Sequence, residues 1–265
     1  MCLFHLLFKW PCFSKNLIFI CKGEVRLNNF WTDILEPGYY DKILINGLEK
    51  KRGIQANWHN LTFMHISQFL NPSMKHLDYA CGPGTFIGNY SFSKSVGVDI
   101  SDKQINFAKK KYGEKSEFLS ISSFEKTYLE KEEFDIITIL GLFEFISDDE
   151  ILDLLNQLYD ILKPGGKIVV TTLNYKSKIK FLIKLINKLG SVDYQNQHSN
   201  ELNSVGLKKI FTKSKFKNFD VSTFLNFGVF FSIISIKFGS RLNKVINQIN
   251  GFNNNYLLVG TLTKE

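Results

Sequence analysis

The residues best suited to binding chemistry run from His76 to Thr85, in the order His76-Leu77-Asp78-Tyr79-Ala80-Cys81-Gly82-Pro83-Gly84-Thr85. Apolar, strand-type residues lead into a glycine pair, and a helix start follows directly. Glycine permits a tight turn there and lets backbone approach a ligand without a Cβ in the way, while a helix N-terminus favours polar or anionic groups. Asp99 then closes a second apolar run, at the distance along the chain expected of a carboxylate that accepts hydrogen bonds from ribose hydroxyls. Asp78 has two readings, a ligand contact or an acceptor for the loop amides. The spacing also discriminates between ligands. A dinucleotide site wants G-x-G-x-x-G, whereas Gly84 is followed by Thr85-Phe86-Ile87-Gly88, one residue too late. This favours a sulfonium nucleoside over a nicotinamide or flavin dinucleotide.

Positioning these residues requires a buried sheet. From about residue 59 the pattern alternates strands and helices, which predicts an α/β fold with a parallel sheet covered on both faces. Strands are expected at 75–80, 95–99, 117–121, 134–140 and 167–173, with two later ones at 215–224 and 256–263. Ser101 with Gln104, and Ser147 with Glu150, have the spacing of capping boxes. The second precedes Ile151, Leu154, Leu155, Leu158, Ile161 and Leu162, one apolar helix face. Lys163-Pro164-Gly165-Gly166 is expected to stop that helix and turn into the fifth strand. Residues 176–189 read as a basic amphipathic helix. The apolar stretch 227–238 reads as core or as the wall of an apolar acceptor pocket, ahead of a helix with Leu242, Val245, Ile246 and Ile249 inward.

These motifs together resemble the class I S-adenosylmethionine-dependent methyltransferases. The strand-one motif is Leu77-Asp78-Tyr79-Ala80-Cys81-Gly82-Pro83-Gly84, the strand-two acid lies in Gly97-Val98-Asp99-Ile100-Ser101, and the strand-four segment is Phe134-Asp135-Ile136-Ile137-Thr138. Leu162-Lys163-Pro164-Gly165-Gly166 is the turn before strand five. Phe143-Glu144-Phe145-Ile146 and Thr171-Thr172-Leu173-Asn174 look most like the small-molecule branch that includes ubiquinone-biosynthesis O-methyltransferases. The resemblance implies a Rossmann-like, seven-stranded, mostly parallel sheet with one antiparallel strand, and S-adenosyl-L-methionine as cofactor. It further implies that the backbone of Ala80, Cys81, Gly82 and Gly84 holds the methionine part, Asp99 the ribose, and the turn at Ser122 and Ser123 the adenine edge, with Asp78, Ile100 and Leu140 as further cofactor-binding candidates. Ala80 stands where glycine is frequent, Ser122 where aspartate is, and Phe145 where histidine is.

Methyl transfer from a sulfonium needs positioning above all, and a base only where the acceptor loses a proton. The candidates are His59, Glu144 and His198. His59 sits just before an apparent first helix, with Tyr39, Tyr40 and Trp58 able to form an aromatic lid, or it merely starts that helix. Glu144 is a base or a solvated carboxylate at the mouth of strand four, and His198 a substrate contact or a surface loop residue. The acceptor is expected to be a small molecule methylated at oxygen, from a lipid, quinone or glycan pathway. An RNA methyltransferase and a non-catalytic cofactor-binding partner are the rivals.

The chain has 265 residues, 44% hydrophobic, enough for one α/β domain with additions. We divide it into an N-terminal extension and helical, aromatic cap (1–58) and a methyltransferase domain (59–265) with an apolar insert at about 225–253. The formal charge is +8, but only Arg26, Arg52 and Arg241 among the 33 basic residues are arginine, which argues against nucleic-acid recognition. Cys2, Cys12, Cys21 and Cys81 form neither a CxxC pair nor a metal-ligand cluster, so no metal is expected and a cytoplasmic setting fits. Residues 1–21 are apolar but interrupted by Lys9, Pro11 and Lys15, and read as an irregular extension rather than a leader. The basic helix and the apolar stretch raise the expectation of peripheral contact with a membrane.

Overall fold

A computed structural model describes residues 30–128, 132–176, 181, 198–249 and 255–265. The predicted helix at 176–189 lies largely outside them, as do residues 1–21. A seven-stranded sheet has the order β3-β2-β1-β4-β5-β7-β6. Its strands are β1 (Lys75–Tyr79), β2 (Lys94–Asp99), β3 (Glu117–Ser120), β4 (Phe134–Leu140), β5 (Leu162–Leu173), β6 (Asn218–Phe224) and β7 (Leu257–Thr263). Strands β1 to β5 are parallel, and β7 alone is reversed, pairing antiparallel with both β5 and β6. Both faces of the central strands are covered, which is why β4 and β5 carry near-continuous Ile and Val.

The helices are α1 (Tyr39–Glu49), α2 (Ile54–Ser67), α3 (Thr85–Tyr90), α4 (Asp102–Tyr112), α5 (Ile121–Tyr128), α6 (Asp148–Ile161), α7 (Ser204–Lys213) and α8 (Ile236–Gln248). Helix α6 starts with the expected capping box, Ser147 and Glu150 each bonding the other's backbone amide. Its stripe Ile151, Leu154, Leu155, Leu158 and Ile161 is at most 1% exposed, each side chain contributing about 2 kcal/mol of transfer free energy. The chain visits β1, β2 and β3 on one side and then crosses to β4, so β1 and β4 are neighbours at a topological switch point. The crevice at their carboxyl ends is where such sheets bind ligands.

Several local expectations are corrected. Ser101 is the N-cap residue of α4 but makes no side-chain cap bond, and its hydroxyl is buried without a partner. Gln104 points the other way: it accepts from the Gly38 amide at 3.0 Å and donates to the Glu36 carbonyl at 3.1 Å. The long-range contact with the N-terminal cap has displaced the local box. Asp41 reinforces that docking by bonding Lys111 and Tyr112. Residues 163–166 are not a turn between elements but a bulge in β5: Phe134 pairs with Leu162 and Ile136 with Lys167, leaving four residues opposite Asp135. In α8 only Ile246 of the four expected inward residues is buried, because Gly239 and Asn243 make the contact face instead, while Val245 and Ile249 are more than half exposed. Finally, the boundary expected at 58/59 falls inside α2, so His59 lies mid-helix rather than at a helix start.

Candidate functional site

At the carboxyl end of β1 the backbone leaves the strand through Ala80 (φ 63) and then Gly82 (φ 53) and Gly84 (φ 72). The two glycines serve different ends. A Cβ on Gly82 would meet nothing within 4 Å, because it faces a cavity, whereas one on Gly84 would come within 2.6 Å of Phe118. Gly82 is therefore the position of close ligand approach, and Gly84 the position of close packing against β3.

The cavity has a volume of about 350 Å³ and lies over the ends of β1, β2, β4 and β5. Asp78, Ala80, Cys81, Gly82, Asp99, Ile100 and Leu140 line it, as do His59, Glu144 and His198. Ser122 and Ser123 do not. They are exposed in the first turn of α5, bonded to Ser120 at 3.3 and 3.1 Å, and Ile121 takes the place in the lining that they were expected to hold. Gly84 is likewise absent from the lining, for the packing reason above.

The two acids differ in what holds them. Asp99 accepts from the Gly82 amide at 2.8 Å and the Ser101 amide at 2.9 Å, so it fixes the glycine turn while its carboxylate still borders the cavity. Burial pushes its pKa up against those amide bonds. Asp78, 2% exposed, accepts from the Thr138 hydroxyl at 2.6 Å rather than from loop amides. Thr138 also contacts His76 Nε2 at 2.8 Å, and His76 Nδ1 meets Ser95 at 2.9 Å. Burial raises Asp78 to about 7, opposed by the Thr138 bond and assisted by Asp99. It lowers His76 to about 3, so that ring is a neutral link. Burial also raises the Cys81 thiol, which is no nucleophile at neutral pH.

The rest of the wall is aromatic and comes from afar. Trp58 meets Tyr256 at 5.4 Å and Tyr256 meets Phe230 at 6.1 Å. Tyr40 lies 5.6 Å from His59, and Trp31 4.7 Å from Phe145, which lies 5.2 Å from His198. The Tyr39, Tyr40 and Trp58 lid thus has Trp31 and Leu35 added to it. Glu144 is 7% exposed, not solvated, and accepts from Thr172 at 2.9 Å; burial raises it to about 7. Its carbonyl receives the amides of Ser199 and Asn200, which holds His198 beside it. Tyr175 Oη lies 2.8 Å from His198 Nδ1. Burial lowers His198, and it lowers His59 to about 4.

Three buried polar atoms without partners, His59 Nε2, Thr62 Oγ1 and Thr85 Oγ1, belong to residues of the cavity lining. Thr62 and Thr85 escaped the sequence reading, though Thr85 directly follows the glycine turn. Phe230 lies in the apolar stretch whose second reading is the wall of an acceptor pocket, and it does line the cavity; Tyr256 and Leu257 are legible as strand residues but not as part of the wall. The charge of the lining is selective. It carries Asp78, Asp99 and Glu144 and, among the described residues, no lysine or arginine. Such a site fits a cationic sulfonium nucleoside and disfavours a pyrophosphate. The open face of Gly82, the Asp99 carboxylate and the orphaned Thr85 hydroxyl supply room and polar partners for S-adenosylmethionine.

Comparisons agree with this geometry. The demethylmenaquinone methyltransferase of Lactococcus lactis is 27% identical over 168 residues, 60% of this chain and 62% of that protein. Malonyl-[acyl-carrier protein] O-methyltransferase 1 of Ilyobacter polytropus is 28% identical over 127 residues, 46% of this chain and 45% of that protein. The chain therefore spans between about half and under two thirds of the length of these curated relatives. A SAM-dependent methyltransferase from Archaeoglobus fulgidus shares the fold, with a TM-score of 0.55 at 18% identity, over 78% of this chain and 94% of that one. A family model described as a methyltransferase domain matches residues 54–221. With that match over most of its length and the sheet order above, the chain belongs to the methyltransferase domain family, and its fold is that of the S-adenosylmethionine-dependent class I enzymes.

Proposed function

We propose that the protein transfers the methyl group of S-adenosylmethionine to an oxygen of an apolar, ring-sized small molecule of a lipid, quinone or glycan pathway. The observation that carries this reading is the cavity itself, acidic over the glycine turn and aromatic beyond it. Bound there, the cofactor supplies a methyl carbon already activated by its sulfonium. The chain's own residues do the rest. Asp99 accepts from ribose hydroxyls while holding the Gly82 amide, and Ile100 and Ile121 cover the base. Residues 80–82 leave room for the methionine part, and Thr85 offers its free hydroxyl. Asp78 adds a second carboxyl to the part of the wall that receives the cofactor.

In the aromatic half, Trp58, Phe63, Phe230 and Tyr256 exclude water and hold the acceptor in line, which is where most of the rate enhancement of such a displacement arises. The acceptor's proton goes to Glu144, whose carboxyl burial raises to about 7, or to His198, which burial keeps in its neutral, proton-accepting form and Tyr175 orients. His59, kept neutral, orients the acceptor through Nε2. The O-methyltransferase among the relatives supports oxygen as the acceptor atom, and the demethylmenaquinone enzyme supports a ring-sized one. The test is incubation of the purified protein with radiolabelled cofactor and lipid or polar cell extracts. Label entering an organic-soluble, base-labile or ether-linked product supports the reading. Label entering only nucleic acid, or none with Glu144→Gln behaving like wild type, rejects it.

A further inference from the structure

The apolar stretch 227–238 divides in the structure. As a 3-10 turn (Phe227–Ile233) it buries Val229 and places Phe230 in the cavity wall, while Phe231, Ile233 and Ile234 point to solvent, the last two 66% and 69% exposed. Helix α8 continues the same surface. Phe238 packs on Phe231 at 5.8 Å, and Val245 and Ile249 follow it at i+7 and i+11, both exposed. Lys237, Arg241 and Lys244, at i, i+4 and i+7, form an exposed basic stripe alongside. Gly239, Asn243 and Ile246 face the opposite way, into the protein.

A second basic group abuts this face. The Ile236 amide donates to the Lys51 carbonyl at 2.9 Å and the Gly53 amide to the Ser232 carbonyl at 2.7 Å, which brings exposed Lys50, Lys51 and Arg52 to its edge. None of these six cations is ion-paired among the described residues, and no Asp or Glu occurs from 221 to 264. An exposed apolar stripe beside an unopposed basic one is the arrangement of a helix lying in a lipid interface. A second copy seated on this face would bring like charges together. RNA would leave the aliphatic residues unused and would favour arginine over the lysines found here.

We propose that the surface made by residues 50–53, the 3-10 turn and α8 docks on membranes rich in anionic lipid. The turn is then both the inner wall of the cavity and the outer contact with lipid, so an apolar acceptor has a short path between them. Docking itself stands independently of methyl transfer and needs no turnover to test.

The full-length protein is sedimented with phosphatidylglycerol-containing vesicles and with pure phosphatidylcholine vesicles at low salt. Binding to the first and not the second is expected. Charge reversal by Lys237→Glu, Arg241→Glu and Lys244→Glu together should weaken it by more than about a hundredfold, since loss of each cation alone accounts for about fivefold. Ile233→Ser with Ile234→Ser should weaken it at least tenfold. Ile234→Trp, a single exposed change, should show a blue-shifted emission with anionic vesicles only. Unchanged vesicle binding in the variants, or no emission shift, overturns the proposal. So does finding that the serine pair dissociates a dimer, or that charge reversal abolishes RNA binding while vesicle binding persists.

Discussion

Under the glycine turn the cavity draws Asp78, Ala80, Cys81 and Gly82 from one short stretch, and Asp99 and Leu140 from the ends of adjacent strands. The aromatic half draws Trp31, Trp58, Phe145, Phe230 and Tyr256 from five separate segments, brought together by tertiary bonds such as Asn57 to Ser232 at 2.7 Å. The first half is rigid because the sheet's own ladder and the Asp99 bonds fix it. The second is assembled by packing and can change with the acceptor while the first stays constant. Cofactor binding and acceptor choice should therefore be separable by mutation.

The largest effect is expected where turn and sheet are one structure. Gly84→Val forces a side chain into Phe118 at a positive φ and should destabilise the protein by about 3 kcal/mol, read by urea denaturation. Gly82→Ala has the same backbone strain without the clash. It should cost about 1 kcal/mol of stability, yet narrow the cofactor's approach and weaken its binding tenfold or more, on the order of 1.4 kcal/mol.

Glu144 sharpens the comparison through pH. Burial raises its carboxyl from 4.5 to about 7, so the folded state holds that proton longer than the unfolded one. Its contribution to stability is complete below pH 4.5 and is lost as pH rises toward 7. Relative to Glu144→Gln, the wild type should therefore lose about 2 kcal/mol between pH 4.5 and 7, measured by denaturant unfolding at both. The buried histidines His59 and His76 slope the opposite way in that window, but they are common to both proteins and cancel in the difference. The smallest effect belongs to the aromatic half. Phe230→Ala should raise the acceptor KM about tenfold and leave cofactor affinity within about twofold, which would sharpen the separation; equal losses in both would break it.

What could be read from the sequence follows the same division. The strands, the α6 cap and the turn from Asp78 to Gly84 all carry local signals: apolar runs, glycines, a Ser and Glu at cap spacing; that one late strand is reversed comes from the family resemblance. Reading failed where a distant partner overrode the local signal. Gln104 left its capping box for Gly38 and Glu36. Ser122 and Ser123 missed the cavity for a local reason: the helix begins directly after β3, at Ile121, and exposes both hydroxyls. For Glu144 the sequence leaves a base and a solvated carboxylate open; it is buried, with the amides of residues 199 and 200 bonded to its carbonyl, and nothing near it in sequence decides between the two.

The central claim is that the acidic, glycine-lined half of the cavity binds a sulfonium nucleoside through Asp99. Isothermal titration of S-adenosylhomocysteine into wild type and Asp99→Ala tests it most directly. Saturable binding by the wild type, weakened a hundredfold or more in a variant that still unfolds cooperatively, is the expected result. Equal affinity in the two proteins, or no binding by a folded wild type, would contradict it.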